Sequence, residues 1–178
     1  MKVEQLIFGD GTIKVDVTFN ADKSLPILPK LGLQLKIPTN YNNLQYLGRG
    51  PHENYWDRKL SADVGTYKTT VTDDYYSYIR PQESSNKTDV RWMKLTDNSG
   101  TGVLIKAINE NLSMSAIPYS TWNIEEALHT YDLKKTAFYT INIDHKQMGV
   151  GGDDSWSQKA LPHKEFRIPA KNYNYSFL

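Results

Sequence analysis

Residues 149–157, GVGGDDSWS, combine small, acidic and aromatic side chains in a pattern unlike the rest of the chain. The glycines allow unusual backbone angles or a close approach to a neighbouring group. Asp153 and Asp154 can accept hydrogen bonds from hydroxyl groups, and Trp156 can offer an apolar face to a sugar ring. Two interpretations stay open: a sugar-binding loop, or a structural turn in which the aspartates cap backbone amides and the tryptophan packs on the rim.

Phosphate and polyanion binding are not indicated by this sequence. A phosphate-binding loop needs a Lys-Ser/Thr pair after its glycines, which is missing here, and two carboxylates would repel a phosphate. The chain has 21 basic and 20 acidic residues among 178, a net charge of +1, so it lacks the electrostatic footprint of a nucleic-acid-binding protein. No stretch approaches the ~20 apolar residues of a membrane span. We therefore expect a soluble chain with neutral partners, and its compartment stays open.

A second polar segment, GRGPHENYWDR, mixes acids, bases and aromatic rings. Glu53 and Asp57 lie four residues apart, and Arg49 and Arg58 are placed to pair with them. The favoured interpretation is a buried ion network. His52 could act as an acid or base, but no spacing identifies its partner.

Metal and cysteine chemistry have no sequence support. The chain has no cysteine, and the histidines are too far apart to form a local metal motif. They are His52, His129, His145 and His163. A glycosidase would need two carboxyl groups about 5–9 Å apart, and no pattern here selects such a pair.

Alternating apolar and polar residues predict about ten strands and little helix. Hairpins are predicted around residues 9–12 and 96–102, and a short helix over residues 121–129 with Ser120 or Thr121 as its N-cap. The rings of the segment Tyr75 to Ser85, together with Arg80-Pro81-Gln82-Glu83, predict a structured turn. The predicted strands are residues 5–8, 13–19, 31–37, 43–47, 64–71, 75–80, 90–95, 103–108, 113–117, 137–144, 164–168 and 172–177.

The length and composition predict one domain, residues 1–178, and the strand spacing predicts an all-β antiparallel sandwich fold. Leu31, Leu33, Leu35 and Ile37 would share one face of a strand because the side-chain period of a strand is two. In the same way, the apolar residues of 13–19 would share a core face.

With these segments in view, the chain resembles the C-terminal domain of the large β-galactosidases of glycoside hydrolase family two, the domain called the β-galactosidase small chain. Four long segments carry the resemblance in the same order and spacing, over nearly the whole chain. They are LPKLGLQLKIP (28–38), YLGRGPHENYWDR (46–58), YIRPQESSNKTDVRWMKL (78–95) and MGVGGDDSW (148–156).

The resemblance implies a sandwich of the galactose mutarotase-like type, a supersandwich, that begins upstream of Gln5, so we expect it to be incomplete at its N-terminus. It also implies that the catalytic glutamates lie in a preceding TIM-barrel domain of the same polypeptide, so this chain alone holds no catalytic residue and is expected to be inactive. Any Mg or Na of the parent enzyme is expected in that barrel, and no cofactor or metal in this chain. Exposed strand edges would favour dimerisation or aggregation, which makes a homo-oligomer an expectation as well.

The resemblance assigns Trp156 to the aglycone or acceptor subsite of a retaining β-galactosidase. Gly151, Gly152, Asp153 and Asp154 are then expected to hold the shape of the loop. Two alternatives remain: a non-catalytic carbohydrate-binding or scaffold module, and a mutarotase-like epimerase, which needs a general acid and a general base. By residue type alone, the candidates for the epimerase pair are His52, His145, Glu53 and Glu165.

Overall fold

Antiparallel strands are the main regular elements of the structure, a computed structural model that describes residues 1–178. Two short helices are present, α1 at Val71–Asp74 and α2 at Thr121–Glu126, and no helix is long and apolar enough to cross a bilayer. The strands are β1 (Lys2–Ile7), β2 (Ile13–Phe19), β3 (Lys30–Pro38), β4 (Asn43–Gly50), β5 (Asp63–Thr70), β6 (Lys87–Val90), β7 (Trp92–Thr96), β8 (Gly102–Ile108), β9 (Leu112–Ile117), β10 (Phe138–Gln147) and β11 (Tyr173–Phe177).

The strands form two sheets that share one core. Seven strands pair in the order β1-β2-β11-β8-β7-β4-β5, and four in the order β3-β10-β9-β6. Both sheets contribute to a single cluster of 18 buried apolar residues, among them Met93 and Phe177 from the larger sheet and Met114 and Ile141 from the smaller. The predicted all-β antiparallel sandwich is therefore confirmed.

Both predicted hairpins are present. In the first, β1 and β2 pair from Ile7 with Ile13 outward, and Gly11 takes a left-handed φ of 88° that favours glycine. Val15 and Val17 enter the core as the alternation predicts, but Ile13 lies exposed at the start of β2, beside β1, which is exposed along its whole length. In the second hairpin, Asp97 accepts the backbone N–H groups of the turn.

The predicted strand over residues 90–95 is wrong in one respect, because the chain changes sheets at Arg91. Val90 pairs with Leu112 in the smaller sheet, whereas Trp92 pairs with Lys106 in the larger one. Asp89, just before the crossing, takes a left-handed φ of 53° and bends the chain. Alternation alone cannot show which sheet a strand joins.

Two other predicted strands do not form. Residues 75–80 follow α1 as irregular chain, because the Ser85 hydroxyl bonds to the Asp74 carbonyl and Tyr75 packs edge-on against Tyr119, which holds the segment without a neighbouring strand. Residues 164–168 contain a 3-10 turn at Lys164–Phe166, and only Ile168 makes a bridge, to Leu28.

The predicted helix starts where expected but is shorter. The Ser120 hydroxyl accepts the Asn123 N–H at 3.1 Å, so Ser120 is the N-cap. The helix ends at Glu126 and not at His129, because the Asp132 carboxylate takes the N–H groups of Leu128 and His129.

The smaller sheet is covered on both faces. All six residues of β9 are buried, and the face turned away from the core bears Ser113 and Ser115 beside Ile117. Ser113 donates to the Asn86 side chain at 2.9 Å and Ser115 accepts from Asn142 at 2.8 Å. This covered sheet fixes β10, which leads directly from Gln147 into the glycine-rich segment.

Candidate functional site

The loop of residues 149–157 leaves the end of β10 and is anchored by Asp57. The Gly151 N–H donates to Asp57 Oδ2 at 2.8 Å, and the Gly149 N–H donates to the Phe166 carbonyl at 2.9 Å. A Cβ added at Gly149 would lie 2.6 Å from Asp57 Oδ2, so the backbone passes against this carboxylate where only glycine fits. Asp57 therefore fixes the first half of the loop.

Gly152 lies close against the backbone of Lys159 and Ala160, which follow the loop. The Asp153 N–H donates to the Lys159 carbonyl at 2.8 Å. A Cβ added at Gly152 would lie 2.2 Å from that same carbonyl oxygen, whereas one at Gly151 would meet its nearest atom at 3.5 Å. Close backbone approach, and not a left-handed φ, explains the need for glycine here.

The Asp154 side chain caps the turn that presents the tryptophan. Its Oδ1 accepts the N–H groups of Trp156 and Ser157 at 3.2 and 3.0 Å, and its Oδ2 accepts the Ser157 hydroxyl at 2.6 Å. The bond from Ser157 lowers the pKa of the Asp154 carboxyl below its usual value. This is the geometry expected for a residue that holds the loop in shape.

Asp153 has a different partner. Its Oδ1 accepts a hydrogen bond from His163 Nε2 at 2.7 Å, which ties the loop to the segment before the turn at Lys164–Phe166. That hydrogen bond, together with the charge of the carboxylate, raises the pKa of the His163 imidazole. Both side chains are exposed.

The hydrogen bonds of Asp153 and Asp154 hold the loop with the Trp156 side chain in solvent. Its side chain is 86% exposed, and it belongs to neither apolar cluster of the core. A tryptophan is normally among the more buried residues of a protein. An indole displayed on a braced loop has a free apolar face for a ligand or a neighbouring domain.

The polar segment of residues 48–58 forms only part of the predicted ion network. Arg58 pairs with Glu53 at 2.7 Å as expected. Arg49 pairs with Asp89 instead, and Asp57 pairs with no arginine because it faces the glycine loop. The pattern of charges could not show these partners, since Asp89 lies 40 residues away.

Asn54 organises the same segment from inside the fold. It is fully buried, its side-chain oxygen accepts the Thr88 N–H at 2.9 Å, and its amide group donates to the Arg49 carbonyl at 2.9 Å. Glu53 further accepts the Ser85 N–H at 2.8 Å and a hydrogen bond from the Tyr78 hydroxyl. These contacts give most of the segment an architectural role.

The four acid–base candidates of the epimerase alternative do not meet in one place. His52 and Glu53 line a cleft of about 740 Å³, and His52 bonds to Ser61 at 3.1 Å. His145 lines a different cleft, of about 200 Å³, and Glu165 lies exposed on a 3-10 turn. No three His, Asp or Glu side chains are grouped in a way that would hold a metal ion.

Two contacts of the loop had no signal in the sequence. Asp57 lies 94 residues before Gly151, the residue whose N–H it accepts. His163 follows Asp153 by ten residues across a turn whose path no local pattern predicts. Both contacts depend on the tertiary fold, which brings the segment of Asp57 and the turn of His163 next to the loop that follows β10.

Comparison with known proteins assigns the chain to a family. The model for the family described as "Beta galactosidase small chain" matches residues 1–178. The chain is 39% identical over 161 residues to a protein of Priestia megaterium named "Beta-galactosidase", covering 90% of this chain and 16% of the relative. It is 39% identical over 173 residues to the "Beta-galactosidase" of Halalkalibacterium halodurans, covering 96% and 17%.

A third relative, "Beta-galactosidase BgaC" of Bifidobacterium adolescentis, is 41% identical over 164 residues, which covers 90% of this chain and 15% of that protein. The chain thus spans about a sixth of the length of these curated relatives. On the match over its full length, the chain belongs to the β-galactosidase small chain family.

Proposed function

We propose that the chain is a domain of a β-galactosidase that hydrolyses terminal β-linked galactosyl residues with retention of configuration. The names of its relatives support this assignment. The catalytic glutamates would belong to a TIM barrel elsewhere in the same polypeptide, together with any Mg or Na. In this arrangement the chain contributes a wall of the site and no catalytic group.

The wall is Trp156, at the aglycone or acceptor subsite. The observation that carries the proposal is an indole 86% exposed on a loop that Asp57 and Asp154 brace by backbone hydrogen bonds. An indole face covers one face of a sugar, excludes water there and orients the ring without selecting a particular hydroxyl. It would therefore act on binding of the leaving or acceptor sugar more than on bond breaking.

The test is Trp156→Ala in the full-length parent enzyme. Removing a contact made equally in the ground state and the transition state raises KM and leaves kcat unchanged. We expect KM for lactose to rise about tenfold, acceptor affinity in transglycosylation to fall similarly, and kcat for a chromogenic galactoside to change little. One stacked ring is worth about 0.5–1.5 kcal/mol, and tenfold corresponds to about 1.4 kcal/mol, near the upper end of that range.

Trp122→Ala is the matched control. Trp122 is also a strongly exposed tryptophan, 71% accessible, but it lies on α2 and not on the glycine loop. It should leave all three quantities unchanged. Unaltered disaccharide and acceptor kinetics in Trp156→Ala would refute the stacking role.

A further inference from the structure

The cleft of about 740 Å³ lies between residues 51–61, the strand β5, and α1 with the chain that follows it. No residue of the glycine-rich loop 149–157 lines it. Sites for drug-sized ligands have volumes of about 300–1,000 Å³. The cleft is therefore large enough for a molecule of the size of a disaccharide.

Tyrosine rings form much of the lining of this cleft. Five of the twelve tyrosines of the chain line it, namely Tyr46, Tyr67, Tyr75, Tyr76 and Tyr78. The hydroxyl group of the buried Tyr46 donates to the Pro51 carbonyl at 3.1 Å. The hydroxyl group of Tyr67 donates to the Asp63 carbonyl at 2.9 Å. These bonds fix two of the rings before any ligand binds, so less side-chain entropy is lost on binding.

Tyr76 is the exposed ring among the five. Its side chain is 58% accessible to solvent. The ring of Tyr78 packs against it with the two centroids 4.7 Å apart, and the Tyr78 hydroxyl is itself bonded to Glu53. Tyr76 thus combines a supported ring with a large accessible area. An aromatic ring of this kind offers a ligand an apolar surface and a polar hydroxyl tip.

The charged groups of the cleft are mostly paired within the fold. Glu53 pairs with Arg58 at 2.7 Å, and Asp74 pairs with the buried Lys87 at 2.8 Å. The other two charged residues of the lining, one lysine and one aspartate, have opposite signs. A charged ligand would therefore gain little from this site, and a neutral ligand is favoured.

The edge of the cleft keeps free hydrogen-bonding capacity. His52 Nε2 and the Ser61 hydroxyl bond to each other at 3.1 Å, which leaves His52 Nδ1 and a second bond of the hydroxyl for a ligand. Arg58 uses its Nη2 for Glu53, so its Nη1 and Nε remain as donors on a side chain that is 53% exposed. Sugar hydroxyl groups both donate and accept, and they match this mixed set.

We propose that this cleft binds a neutral oligosaccharide of at least two units, with one sugar ring on Tyr76 and with sugar hydroxyl groups at His52, Ser61 and Arg58. These four side chains are exposed, so a ligand reaches them without a rearrangement of the fold. The site shares no residue with the glycine-rich loop, and the proposal does not rest on the role of Trp156.

Titration of the 178-residue chain, labelled with ¹³C in its tyrosine rings, with lactose, maltose and cellobiose in turn tests the proposal by NMR. The ring signals of Tyr75, Tyr76 and Tyr78 should shift and saturate, while those of Tyr131 and Tyr139, which lie outside the cleft, should not. Single Tyr→Phe variants assign the signals. The absence of a saturable shift for all three sugars at about 50 mM, well above a Kd of about 1 mM, would overturn the proposal.

Variants of Tyr76 link the binding to its ring. Tyr76→Ala removes the ring and should weaken binding between about twofold and tenfold, the factor that one aromatic contact supplies. Tyr76→Phe keeps the ring and should retain most of the affinity. Tyr131→Ala is the matched control, because Tyr131 is 79% exposed on the turn Thr130–Asp132 and does not line the cleft. Equal losses in Tyr76→Ala and Tyr131→Ala would contradict the assignment.

The dependence of the affinity on salt tests whether the ligand is recognised as a neutral molecule. Because salt screens interactions between exposed charges, the Kd should stay nearly constant when NaCl is raised from about 0.05 to about 0.5 M. A steep loss of affinity over this range would contradict recognition through hydroxyl groups and an aromatic ring. The kinetic test of Trp156 in the parent enzyme is independent of these results, so either proposal can fail alone.

Discussion

Gly151 and Gly152 are adjacent, but the structure predicts opposite responses to the same substitution. In Gly152→Ala the new methyl group would meet the Lys159 carbonyl oxygen at 2.2 Å and the Ala160 backbone at 2.5 Å, atoms that cannot move without shifting the loop. Overpacking of this kind costs about 1–3 kcal/mol. We expect Gly152→Ala in the parent enzyme to displace Trp156 and to raise KM for lactose as Trp156→Ala does.

Gly151→Ala is the control for this prediction. Its methyl group would lie 3.5 Å from Asp57 Oδ2, an ordinary contact. Neither KM nor the melting temperature should change appreciably. Equal effects of the two substitutions would mean that the crossing at Gly152 does not set the position of the loop.

The pair of His163 and Asp153 predicts a pH dependence confined to the loop. Because the imidazole pKa is raised in the folded state, its contribution to loop order is complete below the unfolded value of about 6.5 and is lost as pH rises through the folded value. In Asp153→Asn the histidine loses its charged partner, and its pKa should fall back toward the ordinary value. NMR titration of the His163 ring in the wild type and in the variant measures this directly. An unchanged pKa for His163 in the variant would rule out Asp153 as the cause.

Part of the candidate site could be predicted from residue types alone. The glycine, acid and tryptophan cluster was recognisable because it fits no regular element, and the capping role of Asp154 follows from a short carboxylate two residues before an amide it can reach. The anchoring role of Asp57 could not be predicted. Its charge suggested an arginine partner, while its actual partner is a backbone N–H brought close by the tertiary fold.

A buried carboxyl group in the smaller sheet should lower the stability of the fold as pH rises, which is the reverse of the usual effect of a paired carboxylate. Asp144, on β10, is almost fully buried near Lys30, and burial raises its pKa to about 6 despite the lysine, with Glu83 adding to the rise. The unfolded chain then loses this proton first as pH increases. Stability should therefore fall between about pH 4 and pH 6, by on the order of 3 kcal/mol, and level off above.

The variant Asp144→Asn isolates this effect from the other carboxyl groups. Its free energy of unfolding minus that of the wild type should increase from pH 4 to pH 6, as measured by urea denaturation. Asp97→Asn should show the opposite dependence at lower pH, because a hydrogen bond from Ser99 lowers the pKa of Asp97. A difference for Asp144→Asn that does not change with pH would exclude Asp144 as a titrating group in this range.

Among the elements, strands with one buried face and one solvent-exposed face were the easiest to predict. β2 alternates cleanly, with Val15 and Val17 inward, and its extent matches the prediction. The errors lie where an alternating run has no partner strand or changes sheets, as in residues 75–80 and at Arg91. An alternating pattern indicates that one face of a segment is buried. It does not show whether the segment has a partner strand, nor which sheet it joins.

One continuous core joins the two sheets of the molecule, so the sheets should unfold together. The 18 clustered residues come from both sheets, so neither sheet can lose its packing without exposing the other. We expect a single cooperative unfolding transition, with circular dichroism and tryptophan fluorescence changing together. Separate transitions would show that the sheets are independent units.

Folded in this way, the 178-residue chain should still not hydrolyse a galactoside. As proposed, the exposed Trp156 and its braced loop would provide only one wall of a subsite. Glu53, one of three acids that line the cleft of about 740 Å³, is tied to Arg58 at 2.7 Å and to the Ser85 N–H, and is thus placed as a structural group. Turnover of a chromogenic galactoside should equal that of buffer, with the full-length parent as the positive control and the cooperative transition as proof of folding. Turnover that co-purifies with the folded chain, and that Glu53→Gln removes, would reveal a catalytic centre inside the sandwich and would refute the assignment of the catalytic residues to another domain.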